Sequence, residues 1–202
     1  MRQPEAPVAM RYDADDLARA VEALRCGGVI IYPTDTVWGI GCDATNEEAV
    51  ARVKSIKGRD DAKALITLVS DTAMLERWVD DVPEVALELV EASEGSRPVT
   101  VVYDKPSGNI ARGLLAPDGS AGFRVCSDPF AAALCRRLRR PIVSTSANFS
   151  GEPTPASFGA ISTDFLSRAD YVARFRRDDN TVSKPSSVIK ISAGGVFKII
   201  RP

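Results

Sequence analysis

Ser144-Thr145-Ser146-Ala147-Asn148 directly follows the apolar pair Ile142-Val143. Three hydroxyls and an amide therefore sit where a buried strand should end. Ligands of open α/β sheets collect outside the carboxyl ends of strands. Small hydroxyls and turn N–H groups suit phosphate or carboxylate oxygens. Lys184-Pro185-Ser186-Ser187-Val188-Ile189 repeats the theme of hydroxyls beside a strand. Phe123-Arg124-Val125 puts one arginine inside an apolar strand. A buried guanidinium needs an anion, either a structural carboxylate or a ligand's. The chain has no histidine, so its chemistry proceeds without imidazole.

Lys54, Lys57, Arg59 and Lys63 form a cation cluster, with Lys57-Gly58-Arg59 where a helix should stop. Gly58 lets the flanking side chains turn toward one polyphosphate, Arg59 as a fork and Lys57 as a point charge. The same residues equally suit a solvated helix end, and Asp60 and Asp61 favour that plainer reading. Arg136, Arg137, Arg139 and Arg140 precede Pro141 and read as an exposed, dipole-matched helix terminus. Tyr32 to Gly41 offers two threonines, Asp35 and two glycines after a strand. As a generic pattern it is a capped turn, without the spacing of a dinucleotide fold or a P-loop.

Helices are predicted over 13–26, 46–58, 71–78, 83–90 and 128–138, each announced by a capping residue or a proline. Short apolar runs predict strands at 29–32, 65–69, 99–103, 119–125, 141–145, 170–174, 187–191 and 196–200. The last two form a hairpin across Ala193-Gly194-Gly195. Strands and helices interleave, but several strands arrive together late in the chain. That predicts α/β architecture with a mixed sheet. At 202 residues, one domain is the better reading.

A net charge of -1 excludes a polycation that coats nucleic acid. Cys26, Cys42, Cys126 and Cys135 make no C-x-x-C pair, so neither zinc nor a disulfide framework is expected. No apolar run approaches the length of a membrane span. The first ten residues lack the apolar core of a secretory leader. A cytoplasmic protein follows as the expectation.

Taken together, six segments resemble the YrdC-type threonylcarbamoyl-AMP synthase family. They are Tyr32-Pro33-Thr34-Asp35-Thr36-Val37-Trp38-Gly39, Lys57-Gly58-Arg59, Arg124, Ser144 to Gly151, Pro185-Ser186-Ser187-Val188-Ile189 and Ile200-Arg201-Pro202. Their order and spacing span nearly the whole chain. The resemblance implies a single domain over 1–202, a twisted mixed sheet with flanking helices, and a concave basic cavity. It implies condensation of L-threonine, bicarbonate or carbon dioxide, and ATP with Mg2+ into threonylcarbamoyl-AMP and pyrophosphate, for threonylcarbamoyladenosine in tRNA. Position by position, Thr36, Arg124, Ser144 and Ser186 match the threonine site. Arg59, Lys63, Ser120, Ser146, Thr154 and Arg201 match the ATP contacts, and Lys57 joins Arg59 as the catalytic pair. Expected partners are these substrates and the machinery that transfers threonylcarbamoyl to tRNA. Weak RNA contact, or an RNA-binding module without catalysis, is the alternative. The chain departs from the family pattern at Lys63-Ala64, at Leu68 where a histidine is common, and at Ser96-Arg97-Pro98 in place of Pro-Gly-Pro.

Overall fold

The computed structural model describes residues 11–58, 65–93, 97–181, 185–192 and 197–201. In chain order the elements are α1 (Ala14–Arg25), β1 (Ile30–Tyr32), β2 (Gly39–Gly41), α2 (Glu47–Lys57), β3 (Ile66–Val69), α3 (Thr72–Trp78), α4 (Glu84–Ala92), β4 (Val99–Tyr103), β5 (Ala121–Val125), α5 (Pro129–Leu138), β6 (Ile142–Ser146), α6 (Thr163–Leu166), β7 (Tyr171–Val172), β8 (Ser187–Ile191) and β9 (Phe197–Arg201). The caps expected from sequence hold the helix starts. Asp13, Asn46, Asp71 and Asp128 each accept a first-turn N–H, which satisfies donors a helix cannot pair internally.

The strands form one sheet in the order β7-β1-β2-β6-β3-β5-β4-β8-β9. β1/β7, β3/β5 and β4/β8 run parallel, and the other neighbours antiparallel. The mixed sheet is thus as expected. α1 and α5 pack on each other and on β1 and β3. Val21, Leu24, Phe130 and Leu134 are buried there among the side chains of the core.

One strand escaped the sequence reading. Gly39-Ile40-Gly41 looks like a glycine-bearing turn, yet it is β2, inserted between β1 and β6. Its glycines reflect crowding between strands. A Cβ on Gly41 would lie 1.7 Å from the Val143 carbonyl oxygen. Gly41→Ala should therefore cost about 3 kcal/mol, the upper end of ordinary overpacking. Thermal unfolding should show a midpoint lowered by roughly 10 °C, and an unchanged midpoint would contradict the packing argument.

Candidate active site

Strand alternation builds the site. Side chains two apart share a sheet face. On β4, Val101 and Tyr103 are buried in the core, while Thr100 and Val102 line a cavity. The same alternation brings Gly122 and Arg124 of β5, Ser144 and Ser146 of β6, Ile66 of β3, Val188 of β8 and Arg201 of β9 to that cavity. Its volume is about 550 Å³, within the range of small-molecule sites. The register places Ser144 opposite Ile66, Ile66 opposite Gly122, and Gly122 opposite Val102. Gly122 keeps the middle of this floor low.

Eight residues singled out from sequence converge here: Thr36, Ser120, Arg124, Ser144, Ser146, Thr154, Ser186 and Arg201. Thr36 is set by its own turn. Its N–H donates to Thr34 Oγ1 at 3.1 Å, and the two hydroxyls lie 3.0 Å apart. Thr34 Oγ1 also donates to the Val37 carbonyl. Ser186 Oγ lies 2.8 Å from Thr100 Oγ1. Arg201 donates through Nε and a terminal nitrogen to the Ser186 carbonyl at 3.1 and 2.8 Å. Burial, followed by the nearby cations Arg97 and Arg124, lowers the pKa of Arg201. Ser120 Oγ donates to Asp118. A hydrogen bond from Lys190 and then this one from Ser120 hold the Asp118 carboxyl below its ordinary pKa.

Arg124 has found a structural carboxylate. One of its terminal nitrogens lies 3.0 Å from Asp35 Oδ1, and both side chains are almost fully buried. The contact is coulombic rather than an aligned hydrogen bond. Arg124 Nε and Asp35 Oδ1 have no hydrogen-bond partner among the described residues. Among the described residues, the basic character expected of the cavity is not shown. Its described lining carries two cations, Arg124 and Arg201, and the first is offset by Asp35.

Lys57 stands apart from these eight. It was expected at the phosphates, but it is fully buried and does not line the cavity. Its ammonium donates to the Ser146 carbonyl at 2.5 Å and to the Asn148 carbonyl. It also lies over the Phe165 ring. The Lys57 carbonyl in turn accepts the Ser150 N–H. Gly58 does adopt the left-handed cap expected of it, at φ 65°. However, burial of α2's last turn directs Lys57 beneath the strand end rather than across it. Arg59 and Lys63 lie outside the described residues. Leu68 is fully buried on β3, in register with Arg124, and brings no polar group to the cavity.

Sequence reasoning missed Thr100, and it read Asp35 as a polar contact of its turn without foreseeing that it faces Arg124. Thr100 had a readable signal, a lone hydroxyl alternating with valines in a strand. The pairing of Asp35 with Arg124 had none, because the two are 89 positions apart and only the fold joins them.

The sequence pattern of the Sua5/YciO/YrdC family, described as "Telomere recombination", matches residues 22–202. The chain belongs to this family. A threonylcarbamoyl-AMP synthase of Xanthomonas euvesicatoria is 32% identical over 195 residues, covering 92% of this chain and 98% of the relative. Among solved structures, E. coli YciO superposes with a TM-score of 0.77 at 27% identity, covering 92% of this chain and 87% of YciO. P. abyssi Sua5, solved in complex with L-threonine, superposes with a TM-score of 0.78 at 27% identity. That match covers 89% of this chain and 52% of the Sua5 chain, so the chain spans about half of that neighbour. These family members support the enzyme reading over an RNA-binding module.

Proposed function

We propose that this protein condenses L-threonine, bicarbonate or carbon dioxide, and MgATP into threonylcarbamoyl-AMP and pyrophosphate, as a cytoplasmic enzyme serving threonylcarbamoyladenosine formation in tRNA. The observation that carries the reading is the convergence of those eight sequence-selected residues on one cavity. The threonylcarbamoyl-AMP synthase relatives support it. In this reading Arg124, Thr36, Ser144 and Ser186 hold threonine, with the guanidinium at its carboxylate. Arg201, Ser146, Thr154 and Ser120 hold ATP, joined by Arg59 and Lys63. Magnesium enters as part of the nucleotide, because the described lining offers hydroxyls and no carboxylate and Mg2+ is commonly held by substrate phosphates.

The chemistry asks little of an acid or base. Threonine's neutral amine adds to carbon dioxide to give a carbamate, and the proton it loses passes to water. A carbamate oxygen then attacks the α-phosphorus, and pyrophosphate leaves with the electron pair of the broken P–O bond. Such a transfer needs alignment and neutralisation of charge. The fixed hydroxyls and arginines of the sheet supply both.

The test is pyrophosphate release from ATP and bicarbonate, with and without threonine. Threonine-dependent release, together with threonylcarbamoyl-AMP in the product mixture, is the expected result. Salt-sensitive RNA binding with no release would instead favour the RNA-binding alternative. Subsequent consumption of the product by a threonylcarbamoyl-transferring enzyme on tRNA completes the proposed role.

A further inference from the structure

The two ends of the cavity differ in charge compensation. Arg124 faces Asp35 at 3.0 Å, with about 3% and 5% of the two side chains exposed. The other Asp35 oxygen accepts the Ser127 N–H at 3.2 Å, just beyond the strand that carries Arg124. The carboxylate is thus tethered to the segment it neutralises. At the other end, Arg201 spends its fork on the neutral Ser186 carbonyl and has no carboxylate partner among the described residues. Arg97 donates to the carbonyl of the preceding residue, Pro185, at 2.9 Å. β5, β4, β8 and β9 are successive neighbours, so the strands carrying Arg124 and Arg201 lie three spacings apart, about 14 Å at the backbone, while their long side chains reach toward each other across the cavity, near enough for Arg124 to lower the Arg201 pKa.

We propose that Asp35 selects ligands by charge: paired with Arg124, it makes this end of the cavity accept a singly charged carboxylate and turn away phosphate-bearing anions, which are left to the Arg201 end. The inference rests on the threonine-and-ATP reading above. A compensated guanidinium attracts through its N–H donors at short range more than through net charge. Arg124 lines the cavity and still has an unpartnered donor, although that Nε is itself buried. The field of Asp35 opposes a ligand in proportion to that ligand's charge. A carboxylate feels it once, pyrophosphate several times over, and burial leaves the effect poorly screened. Two anionic substrates can then enter one cavity without exchanging places.

The experiment is calorimetric titration of threonine into the protein with and without inorganic pyrophosphate. For the natural sequence, threonine affinity should change less than about twofold. For Asp35→Asn, pyrophosphate should weaken threonine binding at least about tenfold, because the guanidinium is no longer compensated. A purely structural role for Asp35 would weaken both ligands and create no competition. Displacement of threonine by pyrophosphate from the natural protein overturns the proposal, as does an Asp35→Asn protein that remains indifferent to pyrophosphate. Should that variant fail to fold, the arm with the natural protein decides alone. If the natural protein binds no threonine at all, the substrate reading falls. Direct pyrophosphate titration then still tests the charge argument, which requires tighter binding to Asp35→Asn.

Discussion

Arg124→Lys is expected to lower kcat/KM for threonine by about 10²–10³-fold, while KM for ATP moves less than about threefold. The substitution keeps a positive charge, so the Asp35 carboxylate keeps a counterion and the fold is retained. What disappears is the planar fork. An ammonium on a flexible stem cannot face Asp35 and present a second, fixed donor edge to a ligand carboxylate. Truncating one partner of a buried charge pair costs about 2–5 kcal/mol, which is a ceiling for a change that keeps the charge and loses only the fork, and the expected fold-change lies below that ceiling. The specificity of the loss matters more than its size. Arg124 sits on β5, beside the floor made by Gly122 and Ile66, three strands from Arg201. Steady-state kinetics with each substrate varied in turn checks the claim. An equal loss in both KM values would mean that the two arginines serve one ligand, and the division of the cavity into two ends would fail.

Much of this arrangement is legible from residues alone, and the part that is not has a physical reason. Ser144 and Ser146 could be placed because a strand ending in hydroxyls announces a site at a sheet edge. The helices could be placed because Asp13, Asn46, Asp71 and Asp128 carry local capping chemistry, confirmed by their hydrogen bonds. Local rules failed where the determining contact was distant. Gly39-Ile40-Gly41 is a strand because β1 and β6 close on it, and its glycines answer to β6, Gly41 to the Val143 backbone and Gly39 to Ser144 and Thr145, rather than to any turn. The Arg124 partner was foreseen as some carboxylate, yet which one depended on the β1–β2 connection folding back toward β5. The plainer reading of Arg136 and Arg137 held, since both fall in the last turn of α5. Arg139 then supplies the left-handed cap at φ 59°, a conformation usually left to glycine.

The same distinction governs the last expectation. Lys57 reads from sequence as a phosphate ligand and from geometry as a positioning residue. Its ammonium ties the carbonyls of Ser146 and Asn148 to the end of α2. Asn148 Nδ2 continues the tie to the carbonyls of Phe149 and Glu152, which leads toward Thr154 at the cavity wall. Lys57→Met keeps the length and removes the donor. Two opposed terms then act on stability. Each carbonyl that loses its partner costs about 1–3 kcal/mol, whereas relief of a desolvated ammonium returns several kcal/mol. They nearly cancel, so the unfolding midpoint should fall by no more than roughly 5 °C. Activity has no such compensation. Ser146 and the 148–154 segment lose their anchor, and a displacement of about 1 Å at reacting groups costs on the order of 10²-fold in turnover. The decisive measurement is pyrophosphate affinity. A positioning role leaves it within about twofold, because the ammonium never enters the cavity, while kcat collapses. A phosphate-binding role would lower that affinity tenfold or more, and titration of pyrophosphate into Lys57→Met beside the natural protein separates the two outcomes.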